Sequence, residues 1–331
     1  MANSTPLKVS CGDQNCSKYT IGWICVLEKQ QTAAIMMLDE SYGDVDKQSN
    51  DPNTYHLGRV GQHNVVIAWL PQDQGGSNTA AIIAVWITTT FPEIKLCLFL
   101  GLGCGIPHKV RLGDVVVGMP YDGLPGVVEW QADENKTTAE MGHPPRILLS
   151  ALTKIQSDHE IYGFNARKYL AKIKENERLA QTSVVSDVLQ DPLFSEDGFE
   201  MTREIYGKPK RDKLSQNSKL KQRETEVHYG LIASISCLSK DKDANESLKS
   251  VLGSRHLLCV ETEMSGLVTN FPCLVIRGIC DYLGESHDTR QDWQGPAATV
   301  AAAYAKEVLT ILPVADVAHL PTIQSMGPSA F

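Results

Sequence analysis

The sequence lacks any run of about 18 apolar residues, the length a membrane-spanning helix needs. Its start has no basic stretch followed by an apolar one and a small-residue cleavage site, so no secretory leader is expected either, and the expectation is an intracellular, cytoplasmic protein. A basic excess is also missing: 31 Lys and Arg stand against 39 Asp and Glu, a formal charge of −8. That balance argues against a nucleic-acid backbone as the main partner and leaves small charged substrates open, since local fields matter more than the total. Metal-ligand spacing is absent as well. Cys11 and Cys16 lie close together in a polar segment, but no second ligand pair follows at zinc spacing, so no metal and no cofactor is expected. Nine cysteines are an odd count. Most sit in apolar runs, as Cys25, Cys97, Cys259 and Cys273 do, which fits buried free thiols of a reducing compartment.

What is present is enough apolar material for a core: 331 residues at 42% hydrophobic content can form one large α/β domain or two small ones. Within it the stretch from Cys259 to His287 stands out. Leu257 to Val260 reads as a short buried strand followed at once by Glu261 and Glu263, Met264 to Val268 as a short helix, and Pro272 to Ile276 as a second buried strand with Asp281 just past its end. Two parallel strands that each finish in an acid would set those acids on one edge of the sheet, where α/β proteins place ligands. A single carboxylate at a strand end is more often a helix cap or the partner of an arginine, and Arg255 and Arg277 are at hand. Glu261, Glu263 and Asp281 together tip the reading toward a site.

The rest of the chain alternates strand and helix. Met1 to Lys18 is polar and aperiodic, a loose arm. Tyr19 to Leu27 reads as a strand, Glu28 to Glu40 as a helix, and Tyr55 to Val60 with Val65 to Leu70 as a hairpin. Gly75-Gly76-Ser77-Asn78 opens an apolar helix from Thr79 to Thr89; such a start can hold an anion, although a tight turn calls for glycine just as much. Ile94 to Leu100 is a strand ending in Gly101-Leu102-Gly103-Cys104-Gly105, where glycines permit close approach of a ligand or of the next loop. Leu112 to Met119 reads as a strand, Val127 to Trp130 as a short edge strand, Pro144 to Ile155 as a helix and Tyr169 to Arg178 as its continuation. Asp187 to Glu226 differs in kind, with a basic run from Lys208 to Arg223 that reads as a solvated insertion or, in the other reading, a lid offering cations to a phosphorylated substrate. His228 to Leu238 is a strand, Ser247 to Leu252 a short helix, Ala297 to Leu312 the last helix, and residues 313–331 a tail.

Taken in order, these pieces resemble the nucleoside phosphorylase and nucleosidase superfamily. Val260-Glu261-Thr262-Glu263-Met264-Ser265-Gly266, followed by Arg277-Gly278-Ile279-Cys280-Asp281, is similar to its V-E-M-E-x-x-G and R-x-I-S/C-D motifs. Supporting pieces are YTIGWICVL from Tyr19, YHLGRVGQHNVVIA from Tyr55, LGLGCGIP from Leu100, RLGDVVVG from Arg111, HYGLIAS from His228 and WQGPAATVAAAYAKE from Trp293. The likeness runs from Tyr19 to about Leu312. It is closest to fungal purine and uridine phosphorylase-like domains, which also resemble methylthioadenosine/S-adenosylhomocysteine nucleosidases. It implies a single α/β domain over residues 19–312, a central mixed sheet flanked by helices, and a homo-oligomer in which a neighbour completes the pocket.

The resemblance also implies a chemistry. An N-ribosidic bond breaks when the base gains a proton and the sugar passes through an oxocarbenium-like state that a nearby anion stabilises. Asp281 is then expected to protonate the purine at its five-membered ring, with burial raising its pKa, and Glu263 to accept hydrogen bonds from the ribose 2′- and 3′-hydroxyls. Glu261 supports the same site, either touching the substrate or from behind it. Thr262 stands where a methionine commonly lines the sugar, Gly103 and Cys104 lie in the loop that passes under the ribose, and Cys237 and Leu238 replace residues, often aromatic, that pack on the base. Phosphorolytic members carry an arginine just before that loop and a serine or threonine within it. Phe99, Leu100 and Leu102 stand there instead, so water is favoured over phosphate, with Arg59 and His63 left to bring a cation from another loop or a neighbouring subunit.

One departure bears on mechanism. The glutamate that activates water in hydrolytic relatives is matched by Gln30, with Glu28 two residues before it. Glutamine can position a water but cannot take its proton. Either Glu28 substitutes, or the protein is slow or a nucleoside-binding sensor domain, or the chain is altered to trap a ligand. The expected activity is hydrolysis of the N-ribosidic bond of an adenosine-, inosine- or guanosine-like nucleoside; the alternatives are a phosphate-dependent phosphorylase and a catalytically weak binding domain.

Overall fold

The computed structural model describes residues 9–10, 16–46, 50–71, 79–131, 136–140, 143–164, 168–170, 173, 191, 193, 225–236, 242–253, 256–264, 267, 271–284 and 290–326. Its strands are β1 (Val9–Ser10), β2 (Ile21–Cys25), β3 (Glu40–Asp46), β4 (Thr54–Val60), β5 (His63–Trp69), β6 (Leu96–Gly105), β7 (Val115–Gly118), β8 (Val127–Gln131), β9 (Lys136–Glu140), β10 (Val227–Ser234), β11 (Leu257–Glu261) and β12 (Cys273–Tyr282). The helices are α1 (Glu28–Met37), α2 (Thr79–Thr90), α3 (Arg146–Tyr162), α4 (Lys242–Leu252), α5 (Arg290–Ile311) and α6 (Val314–Ala318). Among the described residues no helix is long and apolar enough to cross a membrane.

All twelve strands join one mixed sheet in the order β1-β3-β4-β5-β2-β6-β12-β7-β10-β8-β9, with β11 bridging β10 and β6. That bridge closes a ring: β6 pairs with β12, β12 with β7, β7 with β10, β10 with β11, and β11 returns to β6. β6 and β12 are buried along their whole length, which explains their near-continuous apolar sequence and the absence of alternation. Helix α5 lies against β12 at Gly278, where an added Cβ would fall 2.0 Å from the Ala297 carbonyl oxygen. Only glycine lets helix and strand backbones approach so closely, and the alanines of α5 serve the same end. The result is a single α/β domain with helices on a mixed sheet, as the sequence predicts.

Several boundaries differ from the sequence-based expectation. Val9–Ser10 is no loose arm but a parallel partner of Val45–Asp46, and Cys16–Lys18 forms a 3-10 turn. Cys16 is disulfide-bonded, while among the described residues Cys25, Cys97, Cys104, Cys259, Cys273 and Cys280 are free, buried thiols. β3, polar and glycine-containing, was hidden by its composition. β8 is not at the edge; β9 covers it. The tail is partly built in, because Val317 and Ile323 are buried in the core. Of Met264 to Val268 the described residues 264 and 267 are not helical, and Leu267 closes a turn on the Met264 carbonyl at 2.9 Å. Gly75 to Asn78, the basic run from Lys208 to Arg223, and Cys237 and Leu238 lie outside the described residues; of Tyr169 to Arg178 only residues 169, 170 and 173 are described.

Two differences change the site. β6 does not stop at Leu100 but continues through the glycine-rich segment to Gly105, held by β12 and β11. β12 likewise runs on to Tyr282, so Asp281 is inside the strand. β11 is antiparallel to β6 while β12 is parallel to it, so the two acid-bearing strands run in opposite directions and not side by side. Both acid-bearing strands border β6 at Cys104 and Gly105.

Candidate active site

The centre of the site is Arg277, fully buried on β12. Its guanidinium lies over the Phe99 ring at 4.6 Å and donates from Nη2 to Glu261 Oε2 at 2.6 Å and from Nη1 to Glu263 Oε2 at 3.1 Å. A side chain at position 101 would forbid this. An added Cβ on Gly101 would sit 1.3 Å from Arg277 Nη1 and 2.3 Å from Glu263 Oε2. The glycine expected to allow close approach of a ligand or of the next loop therefore makes room for an arginine. Gly103 is also packed from within, its added Cβ meeting Arg277 Cβ and Cys259 Sγ at 3.4 Å. Sequence reasoning treated Arg277 as a salt-bridge partner only; its setting in an otherwise apolar strand was the available signal.

Glu261 is the anchor. Its Oε2 accepts the Glu263 N–H at 2.9 Å, the Met264 N–H at 3.1 Å and Arg277, so it shapes the turn that leaves β11 and carries Glu263. Glu263 accepts the Gln30 Nε2 amide on Oε1 at 2.7 Å and takes a further backbone bond from Leu102. Burial pushes its carboxyl up to about 7; Arg277 opposes the rise, Glu261 adds to it, and the Gln30 and Leu102 donors oppose it. Its side chain keeps 10% exposure while those of Arg277 and Glu261 have none, so Glu263 is the member of the trio that still meets solvent.

Gln30 is fixed in one orientation. Its Oε1 accepts the N–H groups of Val26 and Leu27 at 2.8 and 3.1 Å, capping the start of α1, which turns Nε2 toward Glu263. Glu28, in the same first turn, is exposed. Thr262 is half-buried between the two glutamates, and Cys104 is buried in β6. Gln30, Glu261, Glu263 and Arg277 are thus brought into one hydrogen-bonded cluster.

Asp281 stands four residues beyond Arg277 on β12 and is 7% exposed. The extra residue Cys280 breaks the register between Ile279 and Asp281, pairing Ile279 with Gly103 and Asp281 with Cys104. Such a bulge shifts the alternation of side chains, so Asp281 leaves the sheet on the Cys104 side. Its Oδ1 accepts the Tyr282 N–H at 2.8 Å.

Arg59 and His63 are bound elsewhere in this chain. Arg59 pairs with Glu40 and donates to the Gly61 carbonyl, while buried His63 meets the Leu312 carbonyl at 2.9 Å and burial lowers its pKa. Among the described residues, Asp114, Glu226 and His228 form a group that could hold a metal ion. Arg111 already lies 3.3 Å from Asp114 and 2.9 Å from Glu226, supplying the positive charge such an ion would bring.

No profile of a known protein family matches the chain. A nucleotide-binding leucine-rich repeat (NLR)-like protein of Hyaloscypha variabilis is 34% identical over 308 residues, covering 89% of this chain; the chain spans 29% of that relative's length. Among solved structures, the 5′-methylthioadenosine/S-adenosylhomocysteine nucleosidase of Neisseria meningitidis, in complex with methylthio-immucillin-A, superposes with a TM-score of 0.53 at 15% identity over 88% of this chain and 98% of that one. The 5′-methylthioadenosine/S-adenosylhomocysteine nucleosidase of S. pneumoniae, with a transition-state inhibitor, gives 0.53 at 17% identity over 89% and 100%. Futalosine hydrolase of Helicobacter pylori gives 0.51 at 12% over 88% and 97%.

Proposed function

From a chain that has the nucleoside phosphorylase and nucleosidase fold, we propose that this site binds a purine nucleoside and cleaves its N-ribosidic bond by hydrolysis. Glu263 accepts the ribose hydroxyls, and Asp281 gives a proton to the five-membered ring of the base. The observation that carries the reading is Glu263 itself: a buried carboxylate set by Gln30, Arg277 and Glu261 and still partly open to solvent. A sugar with two adjacent hydroxyls suits a two-oxygen acceptor held in that way. The spacing supports it too. Glu263 is bonded beside Leu102, and Asp281 pairs with Cys104, two residues further along β6. That step is about 7 Å along a strand, a separation suited to the distance between the sugar's hydroxyls and the imidazole part of a purine. The neighbours solved with adenine or immucillin bound are consistent with such a ligand.

A second reading, binding with little turnover, is favoured by the fixed amide of Gln30, whose donor and acceptor ends are both engaged. The deciding experiment offers adenosine, inosine and guanosine to the full chain with and without phosphate, following free base and calorimetric binding. Free base and ribose without phosphate support hydrolysis. A strict phosphate requirement with ribose 1-phosphate as product refutes it, and tight binding with no release moves the assignment to a nucleoside-binding module.

A further inference from the structure

Three buried polar atoms near Glu263 have no hydrogen-bond partner among the described residues: Glu261 Oε1, Arg277 Nε and Ser234 Oγ. The residues are 2%, 0% and 3% exposed, so bulk solvent does not satisfy them. Their positions are linked. Ser234 is the register partner of Glu261 across β10 and β11, which sends both side chains out on the same face of the sheet. Arg277 reaches Glu261 through Nη2, and in a planar guanidinium the Nε–H and one Nη2–H point the same way, so the Nε–H is also aimed to the Glu261 side. A side-on pair would have used Oε1 for it. Here Oε2 takes all three donors and Oε1 takes none. Leaving a charged group so is costly, and a carboxylate oxygen, a guanidinium N–H and a hydroxyl together suit a small group that both donates and accepts, namely water.

We propose that Glu261 Oε1, Arg277 Nε and Ser234 Oγ hold the water that attacks the sugar, and that Glu261 takes its proton. The inference rests on the nucleoside-cleaving reading above and fills the role that neither Gln30 nor exposed Glu28 serves. In the step, the water oxygen bonds to C1′ as the bond from C1′ to the base nitrogen breaks. One water proton passes to Glu261 Oε1, the bonding pair leaves with the base, and the base receives the proton of Asp281. Free sugar and free base result, and the two carboxyls then re-equilibrate with solvent. Glu263 needs no proton transfer and stays with the sugar hydroxyls.

The test is steady-state base release and calorimetric nucleoside binding by the full chain, wild type against Glu261→Gln and Ser234→Ala. Glu261→Gln keeps an acceptor for Glu263, Met264 and Arg277 but no longer takes a proton, so kcat is expected to fall by about 100-fold or more with KM within about threefold. Ser234→Ala removes one partner of the water and should lower kcat about tenfold at unchanged thermal midpoint. Wild-type kcat in either folded variant overturns the proposal. If Glu261→Gln does not fold, Ser234→Ala decides by the same measure. A wild type that binds nucleoside tightly yet releases no base overturns the assignment of Glu261 while the sugar-binding role of Glu263 survives. A wild type that binds no nucleoside fails the site reading and this inference with it.

Discussion

Gly101→Ala is the sharpest perturbation the structure offers, because it adds one carbon and meets a charge. The new Cβ would lie 1.3 Å from Arg277 Nη1 and 2.3 Å from Glu263 Oε2, both far inside contact distance. The guanidinium must move by an ångström or more, and its bonds of 2.6 and 3.1 Å to Glu261 and Glu263 do not survive that shift. Arg277 is fully buried, so bulk solvent does not replace them. Separating a buried ion pair so that its charges stay uncompensated costs about 3–5 kcal/mol, roughly two to four orders of magnitude in the folding equilibrium. Urea denaturation followed by tryptophan fluorescence measures it, and nucleoside binding should be lost in the same variant. The cause is isolated by a cycle with Arg277→Leu: with the guanidinium gone only the end of the Glu263 side chain must shift, so the double variant should be far less destabilised relative to Arg277→Leu than Gly101→Ala is relative to wild type. Stability of Gly101→Ala within about 1 kcal/mol of wild type, or full additivity in the cycle, would refute the packing argument.

Glu263 makes a pH prediction. Its carboxyl rises from 4.5 unfolded to about 7 folded, so the folded state binds more protons between those values, and the contribution is full below about 4.5 and lost as pH climbs through 7. The loss is on the order of 3 kcal/mol; Glu263→Gln should remove that slope from a stability-against-pH curve, and an identical slope in both proteins would contradict it. Nucleoside affinity should run the other way, rising through pH 7 as the carboxylate forms to accept the sugar hydroxyls. Asp281→Asn should cut base release by about 10²–10⁴-fold while leaving binding nearly intact; full activity would remove Asp281 from the chemistry. Gln30→Glu keeps the cap on Val26 and Leu27 but sets a second carboxylate oxygen against Glu263 Oε1, at the place of the 2.7 Å amide contact, so a carbon-13 titration should find Glu263 holding its proton to a higher pH. An unmoved midpoint would mean the contact is not made.

The fold was readable because its signals are strong and local. The apolar runs of β6 and β12, the hairpin of β4 and β5 and the alanines of α5 each point one way. The candidate site was legible as a set of residues but not in its arrangement. Glu261 and Glu263 were marked by two acids beside an apolar strand, yet nothing in their spacing says that one grips the backbone of the other. Gly101 could be read as facing a ligand or the next loop, because glycine signals close approach and not what approaches. Arg277 looked structural because an arginine beside acids is usually a surface pair, and only the ring closed by β11 carries it inside. The Cys280 bulge is invisible in sequence, since one extra residue in a strand leaves the composition unchanged while it turns Asp281 to another side. β3 was missed for a simpler reason: Glu40 and Asp44 do not resemble a strand until β4 pairs with them, nor Asp46 until β1 does.

The charge inventory of the cluster bears on the nucleophile. Arg277 is the positive member, and Glu261 and Glu263 each bond one of its Nη atoms. A phosphate arriving here would add nearly two negative charges to a group that already carries an excess of one when Glu263 is ionised, and the arginine has no terminal nitrogen outside these pairs to turn toward it. Protonating Glu263 relieves the excess but removes the acceptor that the sugar needs. A neutral nucleophile avoids the conflict: in the proposed arrangement water would take the orphaned Oε1 and Nε without altering the balance, and Glu261 would accept its proton while Arg277 remained in place to hold the resulting acid. On the function proposed above, hydrolysis is the reaction that would let the ion trio keep both of its tasks, fixing the sugar and receiving a proton.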